Sequence, residues 1–495
     1  MIYKLRISTH IVNAFILFAS LSSCKKEIHT KPESASKPNI VLINVDDLGW
    51  KDLGYMGSNY YETPNIDQLA KDGMVFTNAY AGAANCAPSR ACLISGLNTP
   101  RHGVFTVSPS DRGDRRTRKI VPIKNTKHLT NEVYTLPKML KSAGYKTANF
   151  GKWHVGENPA EQGIDYNVGG SGKGNPGKDG YFSPYNIDFI EDGPKGEYLT
   201  DRLTNEAISF IEKNKASSFF VYLPYYTVHT PIMGKEALVE KFKKKQGSHG
   251  QDRADYAAMV ASMDENVGKL LKSLRDSGLE NNTLIIFTSD NGGIRSISSQ
   301  TPLKAGKGSY YEGGIRVPFI VKWPNHVKAG GKNTNTVSQL DIYPTLQQIV
   351  GAPDKASILD GIDITPQLKH SDNTLTRDLY FHFPIYLQAY NPGKDDARDP
   401  LFRTRPGSVI ISGNWKLHEY FEDHAYELYN LKEDISEQHN LAASHPEKVK
   451  ELSHKLNAWR LSMNAPVPNE KNPEYDPVFE MNKIKKVLEK AEKRN

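Results

Sequence analysis

The 495-residue chain is predicted to be an α/β protein: a large mixed β-sheet flanked by helices, with a smaller α+β domain toward the C-terminus. Three observations carry the prediction. Continuous apolar runs such as "NIVLINV" (39–45) read as strands buried on both faces. These runs alternate with amphipathic helical stretches as far as residue 351, the pattern of a sheet covered by helices on both sides. Beyond about residue 371 the alternation gives way to short strands joined by turns.

Each element follows in chain order. Lys4 and Arg6 precede the apolar stretch "IVNAFILFA" (11–19), which is too short to remain as a membrane span. "LSSC" then ends at Cys24, the pattern of a bacterial lipobox in which that cysteine is lipidated; a plain cleaved signal is the alternative. Residues 1–23 are therefore read as a lipoprotein signal peptide and 24–37 as a polar tether. This places the protein at the bacterial cell envelope, in the periplasm or on the outer membrane, held to the membrane by a lipid anchor. The large domain is assigned to 38–370. Thr63 and Pro64 open a helix in "TPNIDQLAKDGM" (63–74). Further strands are expected at 146–153, 218–228, 283–290 and 318–324, with helices at 135–143, 199–213 and 254–277. "DLYFHFP", "SVIISGNWKLHEYF" and "AYELYNL" read as short strands, followed by an amphipathic helix near 446–462. Residues 371–470 thus form the C-terminal subdomain. The segment 471–495, Pro-rich and then Lys/Glu-rich, is read as a surface tail.

Composition narrows the function classes. Hydrophobic residues make up 38%, enough for a large core, and charged residues 24%, an ordinary globular value. The net charge of +7 is mild for this length; it suits an anionic substrate and does not mark a nucleic-acid binder. The basic run "RGDRRTRK" (112–119) reads as a solvated loop or as a contact for a polyanionic chain. "GKGNPGKD" (172–179) falls short of a P-loop, because Asp179 stands where Ser or Thr is needed and Pro176 interrupts it. It reads instead as a surface loop near the mouth of a pocket.

In open α/β sheets, ligands bind beyond the carboxyl ends of the strands. Asp46 and Asp47 follow the first strand, and Asp290 and Asn291 follow the strand "TLIIFTS". Three carboxylates and one amide oxygen suit a hard divalent cation, Ca²⁺ or Mg²⁺, rather than zinc, although such residues also make plain turns and caps. Lys152 and His154, two apart in "GKWHVG" (151–156), would share one face of a strand. His229 ends another strand in "VHTP", and Lys307 lies between glycines in "AGKGSYYEGGIRVP" (305–318), where the backbone can approach an anion. "CAPSR" puts Cys86 just before a helix that Pro88 would open, with Arg90 one turn further on. Helix N-termini favour thiolates and oxyanions. With Cys24 assigned to lipid, only Cys86 and Cys92 remain, and a disulfide between them would close too short a loop to add much stability. Cys86 is expected to have a chemical role and Cys92 to be a small buried apolar side chain. The set predicts a nucleophile beside a metal and basic side chains, attacking a tetrahedral anionic ester. Spacing and composition do not separate phosphate from sulfate.

"CAPSRACLISG" (86–96) resembles the signature of the type I, formylglycine-dependent sulfatases of the alkaline-phosphatase superfamily. "PNIVLINVDDLGWKDLGY", "TPNIDQLAKDGMVFTNAYA", "GKWHVG", "VHTP", "TSDNGG" and "GKGSYYEGGIRVP" resemble further family segments in family order, as does "WKLHEYF…YELYNLKEDISEQHNLA" at the C-terminal end. The resemblance covers nearly the whole mature chain. It implies an alkaline-phosphatase-like fold, with 38–370 as a sulfatase catalytic domain. It also implies that a formylglycine-generating maturation enzyme converts Cys86 to an aldehyde whose hydrate carries two hydroxyls on one carbon. One hydroxyl attacks sulfur; the other loses its proton, so that sulfate is expelled and the aldehyde returns. By the same resemblance one Ca²⁺ is held by Asp46, Asp47, Asp290, Asn291 and the residue at position 86. Arg90 stabilises the hydrated aldehyde, and Lys152 and Lys307 bind sulfate oxygens. His154 takes the second hydroxyl's proton and His229 protonates the leaving sugar oxygen. The implied substrate is a sulfated polysaccharide or its oligosaccharides: an algal polymer such as ulvan or carrageenan, or a glycosaminoglycan. The rival readings are a phosphomonoester or phosphonate hydrolase of the same superfamily, and a catalytically silent glycan-binding lipoprotein.

Overall fold

The computed structural model describes residues 37–493 except Ser357 and Ser371. The segments read as signal peptide and tether, through residue 36 and including Cys24, lie outside the described residues. Eight strands form the main sheet: β1 (Asn39–Val45), β2 (Met74–Tyr80), β3 (Lys146–Phe150), β4 (Tyr166–Val168), β5 (Phe219–Leu223), β6 (Thr283–Ser289), β7 (Phe319–Lys322) and β8 (Gly331–Ser338). Their order is β4-β3-β5-β1-β6-β7-β2-β8. Only β7 runs antiparallel to its neighbours, so the sheet is mixed, as the sequence predicts.

The apolar runs are continuous because both faces are covered. Val41, Ile43 and Val45 of β1 join one core with Leu199, Leu203, Met263 and Leu270, from the helices Leu199–Asn214 and Ala254–Asp276. Ile40 and Leu42 point to a second core with Leu93, Leu136 and Leu346. Successive strand residues alternate faces, so each needs an apolar environment. Helix α1 (Pro64–Asp72) begins at Pro64 as expected, and Asp264 accepts hydrogen bonds from the Asn65 and Ile66 amides at its first turn.

β3, β5, β6 and β7 are all shorter than the ranges expected for them, β5 by six residues and β3 by three. β3 stops at Phe150 because Gly151 turns the chain at φ 125, with the Pro224 carbonyl oxygen 2.2 Å from where a Cβ would sit. Lys152 N then donates to that same carbonyl. Lys152 and His154 therefore lie beyond the strand, with His154 at φ 62, and strand alternation is not what brings them to the site.

The C-terminal region carries β9 (Asp378–Phe383), β10 (Leu387–Gln388), β11 (Phe402–Thr404), β12 (Gly407–Ser412), β13 (Trp415–Tyr420) and β14 (Tyr426–Asn430). Four of these form an antiparallel sheet, β14-β13-β12-β9, and β10 pairs with β11. The helix Pro446–Ser462 packs Leu452, Leu456 and Trp459 on Ile410, Leu417 and Leu428. The opposite face, with Phe381, Phe383, Val409 and Ile411, packs on Tyr80, Phe105, Tyr310 and Ile315, and Tyr310 stacks on Phe383 at 3.9 Å. A buried charge cluster joins the two sheets. Lys416 Nζ lies 2.9 Å from both Glu312 Oε1 and Glu437 Oε1, and Arg316 Nη1 lies 3.0 Å from Glu312 Oε2. The last segment carries a mostly exposed helix, Pro477–Glu492, tied back by an Arg405–Glu480 ion pair of 2.7 Å. Among the described residues, no helix is long and apolar enough to cross a membrane.

Candidate active site

The site sits at the carboxyl ends of β1 and β6, where α2 (Cys86–Ser95) meets the sheet. Cys86 is the first helical residue and Asn85 the cap, so the helix starts two residues before the position expected for it. Pro88 falls in the first turn, where its missing N–H removes no intrahelical bond. All ten residues of α2 are buried. Cys86 and Cys92 are both free thiols; Cys92 is fully buried and donates to the Gly82 carbonyl, which fits the apolar role expected of it.

The sequence-predicted acids converge. Asp47 N donates to Asp290 Oδ1 at 3.2 Å, and Asn291 Nδ2 donates to Asp47 Oδ1 at 2.9 Å. Ser289 ties the two strand ends together: its hydroxyl accepts from Leu48 N at 3.1 Å and donates to the Asn291 carbonyl at 2.8 Å. Cys86 Sγ lies 3.9 Å from Asp47 Oδ1. Three cations balance three carboxylates: Lys152 Nζ is 2.6 Å from Asp46 Oδ2, Lys307 Nζ is 2.7 Å from Asp47 Oδ1, and Arg90 Nε is 2.9 Å from Asp290 Oδ2. Arg90 also donates to the Lys152 carbonyl, at 2.9 Å, and reaches Asp46 Oδ1 at 3.7 Å. Its direct partners are thus the acids and the Lys152 backbone.

The histidines flank this group. His229 Nδ1 is 2.6 Å from the Thr230 carbonyl, which leaves Nε2 facing Asp47 Oδ2 at 3.7 Å. His154 Nδ1 is buried without a hydrogen-bond partner among the described residues. Its ring packs on the loop read from "GKGNPGKD": a Cβ on Gly174 would lie 2.4 Å from His154 Cε1. That loop therefore forms a wall of the site.

Electrostatics follow from this crowding. Burial raises the Cys86 thiol, but Lys152 and Lys307 outweigh it and bring it down to about 6. Burial would also raise Asp47, yet Lys307, His229 and Lys152 hold it well below the carboxylate range. Burial and the neighbouring Asp46 charge push Asp290 up to about 7, against Arg90. Burial and the nearby cations hold His154 well below the usual histidine value. Burial pushes His229 the same way, but the carboxylates of Asp47 and Asp46 prevail and raise it.

A hard divalent cation fits these residues. Asp46 Oδ1 and Asn291 Oδ1 are buried oxygens without a hydrogen-bond partner among the described residues, a condition that serving as metal ligands would relieve. One ligand atom each from Asp46, Cys86 and Asp290 lie within 4.8 Å of one another.

Residues that the sequence does not flag hold the Lys307 loop. Arg403 Nη1 donates to the Lys307 carbonyl at 3.0 Å, and the Thr404 hydroxyl donates to the Gly308 carbonyl. Gly308 has φ 84, and a Cβ there would meet Arg403 Nη1 at 2.6 Å. No local pattern marks Arg403, which reaches the loop from 96 residues away.

Comparison with known proteins adds the following. The Sulfatase family profile matches residues 38–352, and the profile described as N-sulphoglucosamine sulphohydrolase, C-terminal, matches 306–462. A sulfatase of Formosa agariphila is 34% identical, with the match covering 88% of this chain and 91% of that protein. An N-acetylgalactosamine-6-O-sulfatase of Bacteroides thetaiotaomicron is 29% identical over 88% of this chain and 96% of its own. The crystal structure of Ps i-CgsB in complex with k-i-k-neocarrahexaose is similar at a TM-score of 0.71 and 32% identity, covering 90% of this chain and 97% of that one.

Proposed function

Because the chain belongs to the sulfatase family and is a sulfuric ester hydrolase, we propose that it removes sulfate esters from a sulfated polysaccharide or its oligosaccharides, through formylglycine made from Cys86. The observation that carries this reading is the placing of Cys86: buried at the N-terminus of α2, 3.9 Å from an Asp47 oxygen, its thiol drawn down by two ammonium groups. The sugar class is supported by relatives named for sulfated sugars and by a similar protein solved with a neocarrahexaose. A carrageenan-type or ulvan-type algal polymer and a glycosaminoglycan are the candidates.

Formylglycine would supply a hydrated aldehyde, with one hydroxyl to attack sulfur and a second through which the sulfate is released. Calcium, held by Asp46, Asp47, Asp290, Asn291 and residue 86, would supply Lewis-acid polarisation and orientation. The chain's own groups do the rest. Lys152 and Lys307 meet sulfate oxygens and offset charge that builds on them. Arg90 keeps Asp290 and Asp46 in place and stabilises the hydrate. His154, uncharged and with Nδ1 unpartnered, receives a proton, and His229 delivers one from Nε2 to the leaving sugar oxygen. Lipidation of Cys24 and tethering at the cell envelope belong to the same proposal and are tested by palmitate labelling of the exported chain.

The test is sulfate release from a panel of sulfated oligosaccharides by protein co-expressed with a formylglycine-generating enzyme, with Cys86→Ala alongside. Release that is lost in the variant is the expected result. No release from any sulfated member, together with turnover of a phosphomonoester and peptide mass spectrometry confirming formylglycine at position 86, would overturn it.

A further inference from the structure

The basic run at 112–119 divides on inspection. Arg115 pairs with Glu474 at 2.9 Å, Arg116 with Asp114 at 3.0 Å and Arg118 with Asp111 at 3.6 Å. Arg112 has no acid partner among the described residues. Its Nη2 donates to the Val107 and Ser108 carbonyls at 3.0 and 3.2 Å, leaving Nε and Nη1 without an acceptor among the described residues. Arg403 is likewise free of any ion pair among the described residues. It donates to the Gln388 and Lys307 carbonyls, and its Nη2 has no acceptor among the described residues. Its guanidinium carbon lies 3.4 Å from the centre of the Tyr390 ring, which is 46% exposed.

Packing brings the two arginine-bearing segments together. Ser110 O accepts from Tyr386 N at 2.8 Å, and Asp111 bridges to Tyr386. Gly113 lies so close to Phe402 that a Cβ would meet its ring at 2.6 Å. Arg112 is thus held against β10 and β11, and Arg403 is the residue after Phe402. Their charges interact. Burial and then repulsion from Arg403 lower Arg112, while Tyr390 and Cys86 act on it in the opposite sense. Tyr390 is in turn felt by Lys307. Within the reactive centre the three carboxylates already have Lys152, Lys307 and Arg90 as partners. Arg112 and Arg403 are surplus positive charge beside it. Two guanidinium groups on adjoining segments, partly desolvated and without acid partners, repel each other and favour an anion within reach of both, and their planar forks suit an oxyanion.

We propose that Arg112 and Arg403, with Tyr390 as a stacking platform, form a second anion subsite beside the reactive centre, which takes a further acidic substituent of the same sugar chain. The substituent is a sulfate ester or a carboxylate. This rests on the sulfated-sugar reading above and deepens it: the preferred substrate carries two negative groups, one cleaved and one held. Arg403 also fixes the Lys307 loop, so Arg112 is the cleaner probe.

The experiment compares mature wild-type enzyme with Arg112→Gln and Arg112→Lys on three probes. These are 4-nitrophenyl sulfate, with one anionic group; an ι-carrageenan oligosaccharide, with additional sulfates; and a chondroitin 6-sulfate disaccharide, with a carboxylate. The expected result is a rise in KM for the cleaved sugar at least tenfold larger than the rise for 4-nitrophenyl sulfate in Arg112→Gln, partly restored in Arg112→Lys. Which sugar shows the effect tells sulfate from carboxylate. Equal losses on aryl and sugar probes, or no loss on either, overturn the subsite. If wild-type enzyme cleaves no sugar, the fault lies with the sulfated-sugar reading. The subsite is then read by calorimetry on Cys86→Ser protein with the same oligosaccharides. At least tenfold weaker binding in the added Arg112→Gln background supports it, and equal or absent binding overturns it.

Discussion

Replacing Lys416 with Met removes the ammonium group from the buried cluster that joins the two sheets. Lys416, Glu312 and Glu437 all have fully buried side chains, and the ammonium lies 2.9 Å from a carboxylate oxygen of each acid. Taking one partner from a buried ion pair costs about 3–5 kcal/mol, because the remaining charge is left without compensation. Here the cost depends on pH. Burial, opposed by Lys416 and reinforced by the Glu312 charge, already pushes Glu437 up from 4.5 to about 7. Without the ammonium it rises further, so the folded variant binds a proton that the unfolded chain gives up near 4.5. A carboxyl raised in this way contributes stability that is complete below its unfolded value and is lost as pH climbs through its folded value. The deficit of Lys416→Met therefore grows above neutrality, by about 1.4 kcal/mol per pH unit. Urea unfolding followed by tryptophan fluorescence at pH 6, 7.5 and 9 measures it. Adding Glu437→Gln should make the deficit independent of pH. A deficit below about 1 kcal/mol at pH 9, or a double variant that keeps the full pH dependence, would refute the reasoning. Glu312 N donates to Glu437 Oε2, so the loop that carries Lys307 should also loosen and turnover should fall in parallel.

Three further outcomes are expected. Calcium added to chelator-stripped protein should raise the thermal midpoint, corresponding to about 2.7 kcal/mol at a hundred times Kd, and Asp46→Asn should abolish the shift; a wild-type midpoint indifferent to calcium would remove the metal assignment. Burial holds His102, His382 and His418 down to about 3, so the unfolded chain binds their protons first. Stability from these groups should be complete above about 6.5 and fall toward pH 3, by up to about 1.4 kcal/mol per unit for each. His382→Asn should flatten that slope in acid titrations of the urea midpoint, and an unchanged slope would count against it. Gly308→Ala combines a left-handed φ with a collision at Arg403, and Arg403→Met removes the anchor itself. Each should lower kcat on 4-nitrophenyl sulfate at least tenfold, since a displacement of about 1 Å in a positioning contact costs on the order of a hundredfold in rate; normal kcat in both would show that the loop needs no such support.

The fold was legible where periodicity carried it. The run 39–45 is β1 residue for residue, and the helix expected near 446–462 is found there. Strand ends were less legible. Apolar character continues past Phe150 and Leu223, while the chain turns at Gly151 and Pro224 for backbone reasons that hydropathy does not register. The site was legible because its residues stand at strand ends within short motifs. Arg90 is an instructive exception: its spacing from Cys86 is as expected, yet its guanidinium goes to Asp290 and the Lys152 carbonyl. Arg403 and Thr404 were not visible, since their contacts to residues 307 and 308 arise only when the second sheet docks. In the sequence Arg112 is one member of a charge run, and its lack of an acid partner among the described residues is a property of the folded chain alone.

Under the proposed formylglycine reading, the burial of α2 would set an order of events. Cys86 is 2% exposed, and every other residue of its helix is buried too. A catalyst that rewrote this side chain would need it as a loose peptide, with "CAPSR" open to its cleft. Once the sheet and helices close, that access ends. On that reading a chain that folds first would keep a plain thiol at position 86. The yield of active product would then depend on a race between maturation and folding, and slower folding of the nascent chain would raise it without changing any residue at the site.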